Sequence, residues 1–142
     1  MNAFVLDTSV VIKWFTYANE ADIFQAKKLL LDIQGGKIIV LAPVLLLTEL
    51  ANVFLLSKKL ITLKIKTAIE IVDNSQISIA AVNKEIIVSA VTLANKHGIT
   101  VYDAIFLALA KQWNCRLISA DQKSHGRITD GSVIMLSQYP QI

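Results

Sequence analysis

Four carboxylates interrupt an otherwise apolar chain in places where acids are unusual: Asp7, Glu49, Asp103 and Asp121. Asp7 stops the apolar run Phe4-Val-Leu-Asp7, and Asp121 stops the run Ile118-Ser-Ala-Asp121. Asp103 opens a greasy helical stretch, and Glu49 falls inside another. Singly, each has a plain structural reading. Asp7 suits an N-cap, Thr100 and Asp103 stand at the spacing of a capping box, and Glu49 suits a salt bridge. Together they suggest a site. Two carboxylates ~4 Å apart repel by roughly 4 kcal/mol at an effective dielectric of 20, so clustered acids call for a divalent cation or a shared proton. An all-oxygen donor set with no His or Cys cluster points to Mg²⁺, or Mn²⁺ in its place, rather than zinc. Mg²⁺ typically takes one or two carboxylates plus substrate phosphate oxygens, which suits phosphodiester hydrolysis. The chain has no glycine-rich phosphate loop and no G-x-S-x-G elbow, and Asp7 with Ser9 misses the two-residue acid spacing of aspartate-nucleophile phosphatases.

The elements that must position these acids follow from periodicity. Phe4 to Leu6 is too short for a buried helix and suits an interior parallel strand, with Asp7, Thr8 or Ser9 capping a helix through Phe15. In open parallel sheets ligands bind beyond the carboxyl ends of strands, where Asp7 would stand. Glu20 to Ile33 has helical spacing and ends at Gly35-Gly36. Ile38 to Leu41 reads as a second strand, and Pro43 suits the first turn of a helix over residues 44–57. On that helix Glu49 shares an apolar face with Asn52. Thr62 can cap a fourth helix, Ile77 to Val82 is a third strand, and Asn83 caps a fifth helix ending at His97-Gly98. Ala104 to Trp113 is a helix apolar nearly all round and therefore buried. Cys115 to Ser119 and Val133 to Leu136 are strands four and five.

At 142 residues the chain fits one domain, residues 1–142. Apolar residues make up 54% and charged residues 18%, which predicts a large core and leaves room for a partner-covered face. The longest apolar stretch, Ile38 to Leu56, carries Pro43 and Glu49, so a strand and a helix are expected there and no membrane span. A lone cysteine, Cys115, and an N-terminus that runs straight into a strand predict a cytoplasmic protein. The net charge of +3 is a mild lean toward anionic partners.

Four blocks, Phe4-Val-Leu-Asp7-Thr-Ser-Val-Val-Ile-Lys-Trp14, Thr48-Glu49-Leu-Ala-Asn52, Val101-Tyr-Asp103-Ala-Ile-Phe-Leu-Ala-Leu-Ala110 and Leu117-Ile-Ser-Ala-Asp121, resemble those of PIN-domain ribonucleases, in particular the VapC-type toxins. The resemblance spans nearly the whole chain. It implies an α/β fold, a three-layer α/β/α sandwich around a five-stranded parallel sheet ordered 3-2-1-4-5. It implies a Mg²⁺-dependent endoribonuclease with Asp7 and Asp103 as principal metal ligands, Glu49 and Asp121 completing the acidic pocket, and Thr8, Ser119 and Asn52 in support. It also implies a homodimer silenced by a cognate antitoxin. Lys13, Lys123 and Arg127 are candidates for guiding RNA phosphates at the rim. The segment from Gln122 to Ile128 departs from the more apolar family pattern. A PIN-like module that binds RNA or protein without cutting is the alternative.

Overall fold

A computed structural model describes residues 2–139. The apolar run at the N-terminus forms β1 (Asn2–Leu6), whose inner residues Phe4, Val5 and Leu6 are 2% exposed or less. It lies at the centre of a five-stranded sheet with β2 (Ile38–Pro43), β3 (Ile77–Ala80), β4 (Arg116–Ser119) and β5 (Val133–Met135), in the order β3-β2-β1-β4-β5 and parallel throughout. Central parallel strands are covered on both faces, which is why they carry apolar runs and no alternation.

The helices are α1 (Thr8–Val11), α2 (Ile23–Gln34), α3 (Leu45–Leu56), α4 (Thr62–Asp73), α5 (Lys84–His97) and α6 (Val101–Gln112). With this strand order, the rule that parallel crossovers are right-handed puts the helices between β1, β2 and β3 on one face and those of the return from β3 to β4 on the other. The result is the expected three-layer sandwich. All seven residues from Ala104 to Ala110 of α6 are buried, between the sheet and α5, as a helix apolar all round requires. Among the described residues no helix is long and apolar enough to cross a membrane.

Several element boundaries differ from the sequence reading, each for a local reason. The helix after β1 starts at Thr8 and tightens into a 3-10 turn over Ile12–Trp14. The next helix opens at Ile23, after Asp22 in a left-handed conformation, and not at Glu20. Pro43 pairs in register with Ala80 as the last residue of β2, because a strand end tolerates a residue without an N–H; the helix begins two residues later. Thr62 is the first helical residue of α4 and gives no side-chain cap. Asn83 does cap α5, its Oδ1 accepting from the Ile86 N–H at 3.0 Å, and Gly98 ends that helix at φ 67°. Asn83→Ala should lower stability by about 1 kcal/mol, the usual worth of such a cap, read as a lower melting temperature with unchanged activity.

Candidate active site

The switch point of the sheet lies between β1 and β4, where the chain leaves in opposite directions. Leu6 pairs with Ile118, and the Asp7 N–H donates to the Ile118 carbonyl at 3.0 Å, so Asp7 and Ser119 emerge side by side. Asp7 caps α1, as an acid at the end of a strand and the start of a helix can. Its Oδ2 accepts from the Ser9 N–H at 3.2 Å and the Ser9 hydroxyl at 2.5 Å, with the Ser119 hydroxyl at 3.4 Å. Ser9 is itself held, because its Oγ accepts from the Ala120 N–H at 2.9 Å.

Three further acids face the same space. Glu49 projects from the middle of α3, and its Oε1 accepts from the Thr8 hydroxyl at 2.8 Å. Asp103 sits in the first turn of α6. Thr100 Oγ1 accepts from the Asp103 N–H at 3.1 Å, which is half of a capping box; the Asp103 carboxylate makes no bond back to Thr100 and is left to face the cleft. Asp121 follows β4, and its Oδ1 accepts from the Lys123 and Ser124 N–H groups at 3.1 and 3.2 Å. The structure brings all four acids, with Thr8, Ser9, Asn52 and Val53, around one cleft of about 240 Å³.

The electrostatics match a cluster of like charges. Burial pushes the Asp7 carboxyl above its ordinary value, the Asp103 charge adds to this, and His125 and the Ser9 hydrogen bonds oppose it. Glu49 is also raised, first by burial and then by the charges of Asp7 and Asp103, against the Thr8 hydrogen bond and His125. Among the described residues no group of three or more Asp, Glu, His or Cys side chains is gathered closely enough to hold a metal ion as it stands. Asp7 Oδ2 is engaged by Ser9 and Glu49 Oε1 by Thr8. In donor chemistry the site still fits a hard divalent cation, since its acids are all oxygen donors and two of them are raised by burial, with neighbouring carboxylate charge adding to it. Thr8→Val keeps the shape of this buried residue and removes the bond that aims Glu49. It should slow any cleft-dependent reaction by about 10- to 100-fold, the usual worth of a supporting group, with the melting temperature nearly unchanged.

The cationic candidates fare differently. Lys13 is buried, 6% exposed, and its Nζ donates to Glu20 at 3.0 Å and to the Ala21 carbonyl at 2.8 Å. It is therefore not a rim cation, because a desolvated ammonium needs the carboxylate that Glu20 supplies. Lys13→Met should lower the melting temperature and leave affinity for RNA unchanged. Arg127 is exposed but engaged at the C-terminal end of α5, donating to the Gly98 carbonyl at 3.1 Å. Lys123 is exposed beside Asp121.

His125 was not singled out by the sequence. It is fully buried behind the acids, with Nδ1 2.8 Å from Ser119 Oγ and 3.9 Å from Asp7 Oδ1, and Nε2 2.9 Å from the Asp103 carbonyl. The only sequence signal was a polar ring close after an acid at a strand end, in the segment that departs from the family pattern.

The family model of the PIN domain matches residues 4–129. No curated protein matches the chain by sequence. Solved structures that it resembles include a toxin–antitoxin complex from Klebsiella pneumoniae, with a TM-score of 0.65 at 17% identity over 93% of this chain and 96% of that one. VapBC2 from Rickettsia felis, bound to a DNA fragment from its promoter, has a TM-score of 0.66 at 14% identity over 94% and 98%. VapC20 of Mycobacterium tuberculosis, described as a sarcin-ricin loop cleaving toxin, has a TM-score of 0.65 at 17% identity over 82% and 86%. At these identities the likeness is one of fold.

Proposed function

The chain belongs to the PIN-domain family, and from that premise we propose that it is a Mg²⁺-dependent endoribonuclease, the toxin of a VapBC-type toxin–antitoxin pair. The observation that carries this reading is the convergence of Asp7, Glu49, Asp103 and Asp121, from four separate elements, on one cleft at the carboxyl ends of β1 and β4. Folds host many chemistries, so the site must bear the argument. The toxin and RNA assignments draw support from the structural neighbours, which include VapBC complexes and a sarcin-ricin loop cleaving toxin.

In this reading Asp7 and Asp103 would hold the ion, which when bound would supply Lewis acidity toward a water and toward the departing oxygen of the phosphodiester. Asp7 is fixed by Ser9, and Asp103 by the capped first turn of α6. Glu49, aimed by Thr8 and raised by its surroundings, accepts a proton from the attacking water. Asp121 closes the pocket on the β4 side and orders the turn that carries Lys123, an exposed candidate for a phosphate contact. The protein acts as one cytoplasmic domain, a homodimer silenced by its antitoxin. The exposed apolar residues Leu55, Leu56, Ile61 and Leu63 of the α3–α4 hairpin support a partner-covered face.

The alternative, a PIN-like module that binds without cutting, draws on the spread of the acids, none of which form a ready three-donor group among the described residues. One experiment separates the two. The purified chain, freed of any bound partner, is incubated with structured RNA in Mg²⁺ and in EDTA. Cleavage in Mg²⁺ that stops in EDTA is expected; RNA binding with no cleavage in either supports the non-cutting module.

A further inference from the structure

We infer that His125 is a positioning residue, whose ring clamps the first turn of α6 to the end of β4 and thereby sets the Asp103 carboxylate against Asp7 and Asp121. This rests on the proposed reading of the acid cleft. His125 is fully buried, yet both ring nitrogens are engaged. Nε2 meets the Asp103 carbonyl at 2.9 Å, and because a carbonyl only accepts, that nitrogen carries a hydrogen. Nδ1 meets Ser119 Oγ at 2.8 Å. The same Ser119 oxygen accepts from the Asp121 N–H at 3.1 Å and stands 3.4 Å from Asp7 Oδ2. One imidazole thus touches the backbone of Asp103 directly and, through a single hydroxyl whose oxygen accepts from the Asp121 N–H, the backbone of Asp121. Two acids, one in α6 and one just after β4, are tied through it, with Asp7 Oδ1 3.9 Å from Nδ1.

Such a tie matters because the acids repel and α6 is otherwise free to settle by its apolar packing alone. Displacing a catalytic group by ~1 Å can cost about 100-fold in rate, and groups that orient metal ligands are worth about 10- to 100-fold. A His that merely filled the core would influence stability and leave the cleft unaltered.

Three substitutions distinguish these roles. In His125→Asn the amide reaches the place of Nδ1 and can engage only Ser119. In His125→Gln it reaches the place of Nε2 and can engage only the Asp103 carbonyl. His125→Phe keeps the volume and engages neither. For each, kcat and KM on RNA are measured well below its melting temperature, together with the Mg²⁺ concentration that gives half of the metal-induced rise in that temperature. His125→Phe is expected to lose about 10- to 100-fold in kcat with little change in KM, and to need correspondingly more Mg²⁺. His125→Gln should recover more of both than His125→Asn, because it keeps hold of α6. Folded variants with the kcat and Mg²⁺ midpoint of the wild type overturn the inference, however far their melting temperatures fall. Should His125→Phe not fold, equal kcat and Mg²⁺ midpoints in His125→Gln and His125→Asn overturn it alone. A wild type that cuts RNA while all variants match it sinks only this inference. A wild type that neither cuts nor is stabilised by Mg²⁺ removes the functional reading as well.

Discussion

Asp7→Asn should lose at least about a thousand-fold in RNA cleavage, since a metal's Lewis acidity is worth several kcal/mol and each 1.36 kcal/mol is tenfold in rate. Expression of the variant should no longer arrest growth. The protein itself should fold well. Asn is as good an N-cap as Asp, and its amide oxygen can still accept from the Ser9 N–H and hydroxyl that hold Asp7. Full arrest of growth by the variant would remove Asp7 from the mechanism.

The same substitution carries a pH signature. Burial raises the Asp7 carboxyl above its ordinary value of 3.8, so the folded state keeps that proton to higher pH than the unfolded chain does. Stability from this group is therefore fully present below the ordinary value and is lost as pH rises through the raised one. Asn cannot titrate. In EDTA, the melting temperature of Asp7→Asn minus that of the wild type should grow as pH rises above the ordinary value of the carboxyl. Glu20, Asp32 and Asp130 are held below their ordinary values and act in the opposite sense, but they are common to both proteins and cancel in the difference. A difference that is flat with pH would show that Asp7 is not titrating against burial.

Asp103→Asn is expected to have the second largest effect, and it separates a metal ligand from a helix-start residue. The Asp103 charge raises both Asp7 and Glu49, so removing it should relieve the cluster and raise the melting temperature in EDTA. The same change should cancel most of the stabilisation by Mg²⁺ and abolish cleavage. The capping contact survives, because Thr100 accepts from the residue's N–H and not from its side chain. If Asp103 only complements the helix dipole, Asn forfeits about 0.3–1 kcal/mol and the variant melts slightly lower with or without metal. A variant that melts lower in EDTA and keeps the full Mg²⁺ shift rules Asp103 out as a ligand.

The four acids were legible because each breaks a local pattern: Asp7 and Asp121 end apolar runs, Glu49 interrupts an apolar face, and Asp103 immediately precedes the fully buried stretch of a helix. The sheet order came through the family resemblance, since periodicity reveals strands but not their neighbours. What stayed hidden depends on distant partners. The burial of Lys13 is decided by Glu20 and by the fold of the intervening turn. The role of His125 is decided by Ser119 and the Asp103 carbonyl, brought together only when β4 and α6 pack. Ser9 could be read as a cap but not as the group that clamps Asp7 to the Ala120 backbone across the switch point. Pro43 was misplaced by a helix-start rule that a strand end satisfies equally well.

The central claim is that the acid cleft binds a divalent ion, and titration of Mn²⁺ into the wild type, Asp7→Asn and Asp103→Asn, followed by the loss of the free-ion signal in electron paramagnetic resonance, tests it most directly. The account predicts saturable Mn²⁺ binding to the wild type that Mg²⁺ displaces, weakened by at least about tenfold in each variant. Wild-type protein that binds no Mn²⁺, or variants that bind it as tightly as the wild type, would contradict the account.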